Sequence, residues 1–107
     1  MTEYRLQRKP SKLTEDCLIM LEEAVKYIKK TAPVQARIMK TQFQETRKMI
    51  ERMPRIGAAY KKGMRRIKLG KFRYYIYYKE TKTAIEILGI WHTSKGSSFY
   101  PTTRRDS

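Results

Sequence analysis

Cysteine is almost absent from this chain, and its scarcity excludes several classes of protein. Cys17 is the only cysteine in 107 residues, so an intrachain disulfide and a cysteine cluster for a metal are both excluded. It falls on the apolar side of a predicted helix, where a small buried thiol is a more common role than a nucleophile. We therefore expect neither a disulfide framework nor a bound metal or cofactor.

Long apolar runs are also lacking. No segment approaches the length of a membrane-spanning helix, and the first ten residues, MTEYRLQRKP, have no apolar core of the kind found in signal peptides. The expected location is therefore cytoplasmic. A hydrophobic content of 40% should let the chain fold, and its length suits one domain with a modest core. We place that single domain at residues 1–95 and a polar tail at residues 96–107.

Acidic residues are few. There are 10 Asp and Glu against 25 Lys and Arg, which gives a net charge of +15. Residues 1–60 hold 13 basic and 7 acidic residues, whereas residues 61–107 hold 12 and 3, so the positive excess lies mainly in the second half. Such a charge favours encounters with anionic partners, but charge alone does not determine function. A protein that is merely basic therefore remains an alternative.

Two helices are predicted in the first half. Thr14 is a candidate N-cap, and after it apolar residues recur at helical spacing: Leu18, Leu21, Val25 and Ile28. Pro33 suits the first turn of a second helix. The predicted buried stripe of that helix is Ala36, Met39, Phe43, Thr46, Ile50 and Met53. The short break between the two segments predicts an antiparallel helix hairpin.

Four strands are predicted around this hairpin, which gives an α+β fold in the order β-α-α-β-β-β. Tyr4–Arg8 alternates like a short strand, and residues 10–12 are expected to end it. The other three strands are MRRIKLG (64–70), FRYYIYYK (72–79) and TAIEILGIWH (83–92). Short turns join them as an antiparallel meander. Residues 56–63, before the meander, are expected to form a loop.

One face of the predicted sheet is expected to be open and positively charged. Eight Lys and Arg and no acid lie between residues 61 and 79, with four tyrosines among residues 74–78. Alternation places Arg73, Tyr75 and Tyr77 on this open face. The opposite face, which would pack on the helix hairpin, carries Phe72, Tyr74, Ile76 and Tyr78. A cationic face rich in tyrosine suits a nucleic acid or an acidic protein.

Three stretches carry a resemblance to a known family. They are MPRIG (53–57), RRIKLGKFRYYIYYK (65–79) and IEILGIWHTSKG (85–96). With the order of elements, they resemble the RelE/ParE superfamily of bacterial toxins from type II toxin–antitoxin pairs. The resemblance implies a cognate antitoxin as partner, which in such pairs is usually acidic and partly disordered.

The RelE-like branch of this superfamily consists of ribosome-dependent, metal-independent endoribonucleases that cut mRNA. The resemblance would make Arg73 the residue that holds the scissile phosphate, His92 an acid or base, and Tyr100 a late tyrosine that stacks on a base or moves a proton. Thr93 and Ser94 stand where such enzymes often have another arginine. The residues expected to contact nucleic acid or another target are Arg65, Arg66, Lys68, Lys71 and Lys95.

The ParE-like branch instead inhibits DNA gyrase by binding, and the helix hairpin with the ILGIWHTSKG ending favours this interpretation. A further alternative is a basic nucleic-acid-binding module. Structural roles also remain open for the candidate site: Arg73 could pair with Glu86 across neighbouring strands, and His92 could simply end a strand. Lys61 and Lys62 are interpreted as a solvated loop, and Trp91 as buried or half-buried.

Overall fold

A computed structural model describes residues 9–93. In chain order, its elements are β1 (Ser11–Leu13), α1 (Glu15–Thr31), α2 (Pro33–Arg52), β2 (Ala58–Ala59), a 3-10 turn (Lys61–Gly63), β3 (Arg65–Lys68), β4 (Tyr74–Glu80) and β5 (Ile85–His92). The strands form one sheet in the order β1-β5-β4-β3-β2. Strand β1 runs parallel to β5, and the other pairs are antiparallel. The predicted α+β fold is confirmed.

Neither helix in this part of the chain combines the length and apolar character needed to cross a membrane.

The first strand of the described part of the sheet, β1, begins at Ser11. The predicted strand at Tyr4–Arg8 lies outside the described residues. Ser11 and Lys12, which were expected to end a strand, belong to β1, so that part of the prediction was wrong. Contacts distant in sequence hold β1: Glu51 on α2 accepts hydrogen bonds from the Ser11 backbone N–H at 3.0 Å and from its hydroxyl at 2.5 Å. Local periodicity carries no information about such partners.

The helix hairpin agrees closely with its prediction. Thr14 is the N-cap of α1, and its hydroxyl accepts a hydrogen bond from the Cys17 N–H at 3.1 Å. Pro33 opens α2. The buried stripe of α2 is Ala36, Met39, Phe43, Thr46 and Ile50. Met53 was wrongly included in that stripe, because α2 ends at Arg52 and leaves the Met53 side chain 48% exposed.

Cys17 is a fully buried residue of α1, as predicted. Burial, partly offset by the nearby Arg47, raises the pKa of its thiol to about 12. The thiol therefore stays protonated near neutral pH and behaves as a small apolar group.

The main core lies between the hairpin and one face of the sheet. Strand β5 reaches it through Ile85, Ile87 and Ile90, all of which are buried. Their spacing of two and then three is possible because the pairing of β4 with β5 shifts between Tyr77 and Tyr78. This β-bulge leaves one extra residue on β5 and returns the following side chains to the core.

Residues 56–63, which were predicted to form a loop, contain regular secondary structure. They contain β2 and the 3-10 turn, so the described sheet has five strands rather than the predicted four. Tyr78 anchors the start of this segment and the turn before it: its hydroxyl donates to the Pro54 carbonyl at 2.7 Å and accepts from the Gly57 N–H at 2.9 Å. A Cβ on Gly57 would lie 2.7 Å from this hydroxyl and 2.8 Å from the Arg66 carbonyl, so a larger residue does not fit.

We expect Tyr78→Phe to lower the free energy of unfolding by about 1–3 kcal/mol, because it leaves buried backbone groups without their partner. Urea unfolding followed by circular dichroism measures this change. Tyr27→Phe is the matched control, since the Tyr27 side chain is 72% exposed. Equal stability of the two variants would contradict an anchoring role for the Tyr78 hydroxyl.

Candidate functional site

An arginine is held among tyrosine rings on the face of the sheet away from the main core. The Arg66 guanidinium lies 4.4 Å from the centre of the Tyr75 ring and 5.2 Å from that of the Tyr60 ring. Its Nη1–H donates to the Tyr77 hydroxyl at 3.3 Å. We call Tyr60, Arg66, Tyr75 and Tyr77 the tyrosine–arginine cluster. Two cation–π contacts and one hydrogen bond hold this cation in place.

Strand register explains the assembly of the cluster. Arg66 on β3 lies directly opposite Tyr77 on β4, and Tyr75 is its diagonal neighbour on the same face. The Tyr77 ring contacts the Tyr60 ring edge-on at 4.9 Å and the Tyr75 ring at 6.1 Å. The three rings thus support one another as well as the arginine.

Tyr77 is not open to solvent, which corrects the predicted open face. It is fully buried and forms a second small core with Met64, against which Leu88 and Trp91 also pack. Tyr60 belongs to the same layer, so the chain between β2 and β3 covers part of the face that alternation left exposed. The prediction that Trp91 is buried or half-buried is confirmed.

The turn before β3 brings Tyr60 into position. Lys62 has φ 58° and ψ 34°, and Gly63 has φ 76°, so two successive residues adopt the left-handed conformation. Such a conformation is uncommon for lysine and carries strain. The turn is closed by the Tyr60 N–H, which donates to the Met64 carbonyl at 2.8 Å. It also leaves the Lys61 ammonium 5.4 Å from the centre of the Tyr60 ring.

The electrostatics of the cluster favour a fixed positive charge. The hydrogen bond to Tyr77 raises the pKa of Arg66 further above its usual range. Burial raises the pKa of Tyr77, while the hydrogen bond from Arg66 opposes that increase. Near neutral pH the Arg66 guanidinium is therefore a fixed cation that is hydrogen-bonded to the protonated hydroxyl of Tyr77, and such an arrangement suits contact with an anionic group.

The five residues predicted to contact a target have different surroundings in the structure. Arg66 belongs to the cluster. Arg65 has a structural contact instead, because its Nη1–H donates to the Gly57 carbonyl at 2.8 Å. Lys68, at the end of β3, and Lys71, in the following turn, are exposed. Lys95 lies outside the described residues.

The residues predicted to be catalytic lie elsewhere on the sheet. Arg73 is exposed and precedes β4 instead of lying within it. Its carbonyl accepts from the Thr93 N–H at 2.8 Å, while the His92 ring lies 5.0 Å from the Tyr74 ring and nearly perpendicular to it. The structure thus places Arg73 beside the end of β5. Tyr100 lies outside the described residues.

The alternative in which Arg73 pairs with Glu86 does not fit the register. Glu86 lies opposite Lys79, near the other end of β4. Six residues of extended strand separate Lys79 from Arg73, about 20 Å at the usual rise per residue. Arg73 therefore has no access to the Glu86 carboxylate.

Comparison with known proteins identifies the family. A family model described as "ParE toxin of type II toxin-antitoxin system, parDE" matches residues 12–96. This chain belongs to the ParE toxin family. A solved structure titled "Chromosomal ParDE TA system from P. aeruginosa" shares the fold with a TM-score of 0.71 and 18% identity, over 80% of this chain and 97% of that one. No curated protein sequence matches this chain.

Membership of the ParE family confirms the predicted superfamily and toxin class, and it supports an antitoxin as partner. Because the two chains are only 18% identical, their similarity shows a shared fold but does not assign roles to individual residues.

Sequence reasoning missed Tyr60, a member of the tyrosine–arginine cluster, and the contact that Lys61 makes with its ring. Both residues fell in the segment 56–63 that was predicted as a loop, and their contacts depend on the left-handed turn at Lys62. The glycine after two lysines was a weak signal for such a turn. Nothing local in the sequence indicates that the turn folds Tyr60 onto Arg66.

Proposed function

We propose that this ParE-family toxin inhibits growth by binding DNA gyrase, and that the tyrosine–arginine cluster is the centre of the contact surface. The observation that carries this proposal is the orientation of Arg66, which three tyrosines hold before any partner arrives. Arginine and tyrosine are enriched among the residues that dominate binding energy at protein interfaces. Because the side chain is already ordered, binding costs less conformational entropy.

The surroundings of the cluster fit a binding role better than a catalytic one. The groups that contact the Arg66 guanidinium are phenols and aromatic rings. Catalytic cleavage of RNA would need an acid and a base close to the phosphate-binding cation. The candidate for that role, His92, instead contacts Tyr74, which lies three residues from Tyr77 along β4, a distance of about 10 Å.

A RelE-like nuclease is the second candidate function, and one observation favours it. The hydrogen bond between Thr93 and Arg73 places Arg73 next to the strand end that carries His92. A phosphate held there by Arg73 could have an imidazole nearby without a metal. Lys68 and Lys71 would then supply additional positive charge to the RNA backbone.

Two assays on the purified wild-type chain separate these functions. We expect inhibition of gyrase-catalysed supercoiling, with mRNA on translating ribosomes remaining intact. Cleaved mRNA with unaffected gyrase would replace the proposal with the nuclease. If neither assay responds while the chain binds arbitrary DNA or RNA, and binding weakens as salt rises, the basic nucleic-acid-binding module would be the better description.

A further inference from the structure

A cavity at one end of the sheet is lined differently from the rest of this basic chain. It has a volume of about 590 Å³ and lies between α1 and the neighbouring ends of β4 and β5. This volume is in the usual range for a site that holds a small molecule. We call it the aromatic cavity. The described residues that line it are Met20, Glu23, Ala24, Tyr27, Tyr74, Ile90, Trp91 and His92.

The aromatic cavity carries an acid and, among its described lining residues, no lysine or arginine. This is unusual for a chain that has 25 Lys and Arg against 10 Asp and Glu. The acid is Glu23, an exposed residue of α1, and within residues 9–93 it takes part in no ion pair. The cavity therefore offers a carboxylate that no cation of the described chain compensates.

Aromatic rings lie beside this carboxylate. Tyr27 follows Glu23 by four residues on the same face of α1. From the sheet, Tyr74 at the start of β4 and Trp91 near the end of β5 line the cavity. The Tyr74 ring is held edge-on against the His92 ring, with 5.0 Å between the ring centres. Burial raises the pKa of Tyr74, so this phenol is neutral near neutral pH, and the faces of such rings attract cations.

The rest of the lining is apolar. Ala24 and Ile90 are buried members of the main core, and the half-buried Met20 packs against it. The aliphatic part of a ligand would contact these side chains while its charged end lies near Glu23. An apolar lining with a few polar groups at fixed positions is typical of small-molecule sites.

We propose that the aromatic cavity binds the head group of an organic cation, an alkylguanidinium or an alkylammonium. Such a head donates charge-assisted hydrogen bonds to the Glu23 carboxylate and makes cation–π contacts with the rings. An anion would be repelled by Glu23, and a neutral ligand would gain little from it. This inference goes beyond the proposed gyrase contact and does not depend on it, because the cavity and the tyrosine–arginine cluster share no residue.

Trp91 provides a direct readout, because it is the only tryptophan in the chain and it lines the cavity. Butylguanidinium should change the indole fluorescence saturably, with a Kd of about 1 mM or lower. Butylurea has nearly the same shape but no charge, so it should bind at least about 10-fold more weakly. Equal binding of the two probes would overturn the proposal, and so would the absence of saturable butylguanidinium binding by both fluorescence and calorimetry.

Two neighbouring acids on α1 provide a matched pair of variants. Glu23→Gln should weaken butylguanidinium binding about 10-fold, because it removes the charge from the hydrogen-bond acceptor. Glu22→Gln makes the same change in net charge at an exposed residue that does not line the cavity, and it should bind within about two-fold of the wild type. Circular dichroism checks that both variants are folded. An equal loss in the two would mean that only the overall charge matters, which would overturn the assignment.

Variants of Tyr27 test the ring contact. Tyr27→Phe keeps the ring and should bind like the wild type, whereas Tyr27→Leu removes it and should bind about 3-fold more weakly. Unchanged binding by Tyr27→Leu would overturn the cation–π contact.

A final probe identifies the source of the cation, which is either a free small molecule or an arginine side chain of another protein. N-acetyl-arginine methylamide carries the guanidinium on a peptide unit. Tighter binding of this probe than of butylguanidinium would support the cavity as a site for an arginine side chain. Weaker binding would support a free alkylguanidinium or alkylammonium as the ligand.

Discussion

Arg66→Ala should abolish growth inhibition and weaken gyrase inhibition by at least about 30-fold, the effect of losing a central arginine at a protein interface. The guanidinium is the charged centre of the tyrosine–arginine cluster, with contacts to Tyr60, Tyr75 and Tyr77. Alanine removes the positive charge and the planar group that the rings orient. The measurement is the concentration of purified toxin that halves supercoiling activity.

Two further variants show which property of Arg66 matters. Arg66→Lys keeps the charge but loses the planar fork and its stacking, so it should fall between the wild type and Arg66→Ala. Arg37→Ala removes an exposed arginine from α2 and should inhibit gyrase normally. A fully active and folded Arg66→Ala would refute the cluster as the contact surface. If Arg73→Ala is inactive instead, the functional site lies at the end of β5.

Phe43→Ala should produce the largest loss of stability, about 3–5 kcal/mol, as expected when a buried aromatic side chain is deleted from a core. Phe43 is fully buried in the main core between α2 and the sheet. Its removal loses apolar burial and leaves a cavity that surrounding side chains fill only in part. For a small domain with strong charge self-repulsion, this cost is comparable to the total stability.

Urea unfolding at fixed pH and ionic strength measures the effect of Phe43→Ala. The matched control is Tyr27→Ala, which also deletes an aromatic side chain but at a position that is 72% exposed. This control should change stability by no more than about 0.5 kcal/mol, as is usual for surface sites. A similar loss in both variants would mean that Phe43 is not a central part of the core.

The helix hairpin was predictable because its signals are local. The hydroxyl of Thr14 acts three residues along the chain, and the stripe from Ala36 to Ile50 repeats at the helical period. The last member of the predicted stripe, Met53, failed because the helix ends one residue earlier. The three meander strands were predictable for a similar reason: short turns force neighbouring strands to pair.

The candidate site was only partly predictable. Arg65 and Arg66 were both predicted to contact a target, which stays a prediction; the structure places Arg66 among the tyrosine rings, whereas Arg65 donates a hydrogen bond to the Gly57 carbonyl. Tyr60 was missed entirely. The roles of Arg73 and His92 remain predictions, as do the boundary between residues 1–95 and the tail and the cytoplasmic location. For Arg66 and Tyr60, the missing information was the conformation of one turn.

The amino-acid order alone was enough for the helix pair, the meander and the excess of positive charge in the second half, because each depends on residues within a few positions of one another. Tertiary contacts decided the rest. They placed β1 beside β5, introduced the bulge that returns Ile90 to the core, and folded Tyr60 over Arg66. Each of these features joins residues from separate elements, so its free energy depends on a partner that no local pattern specifies.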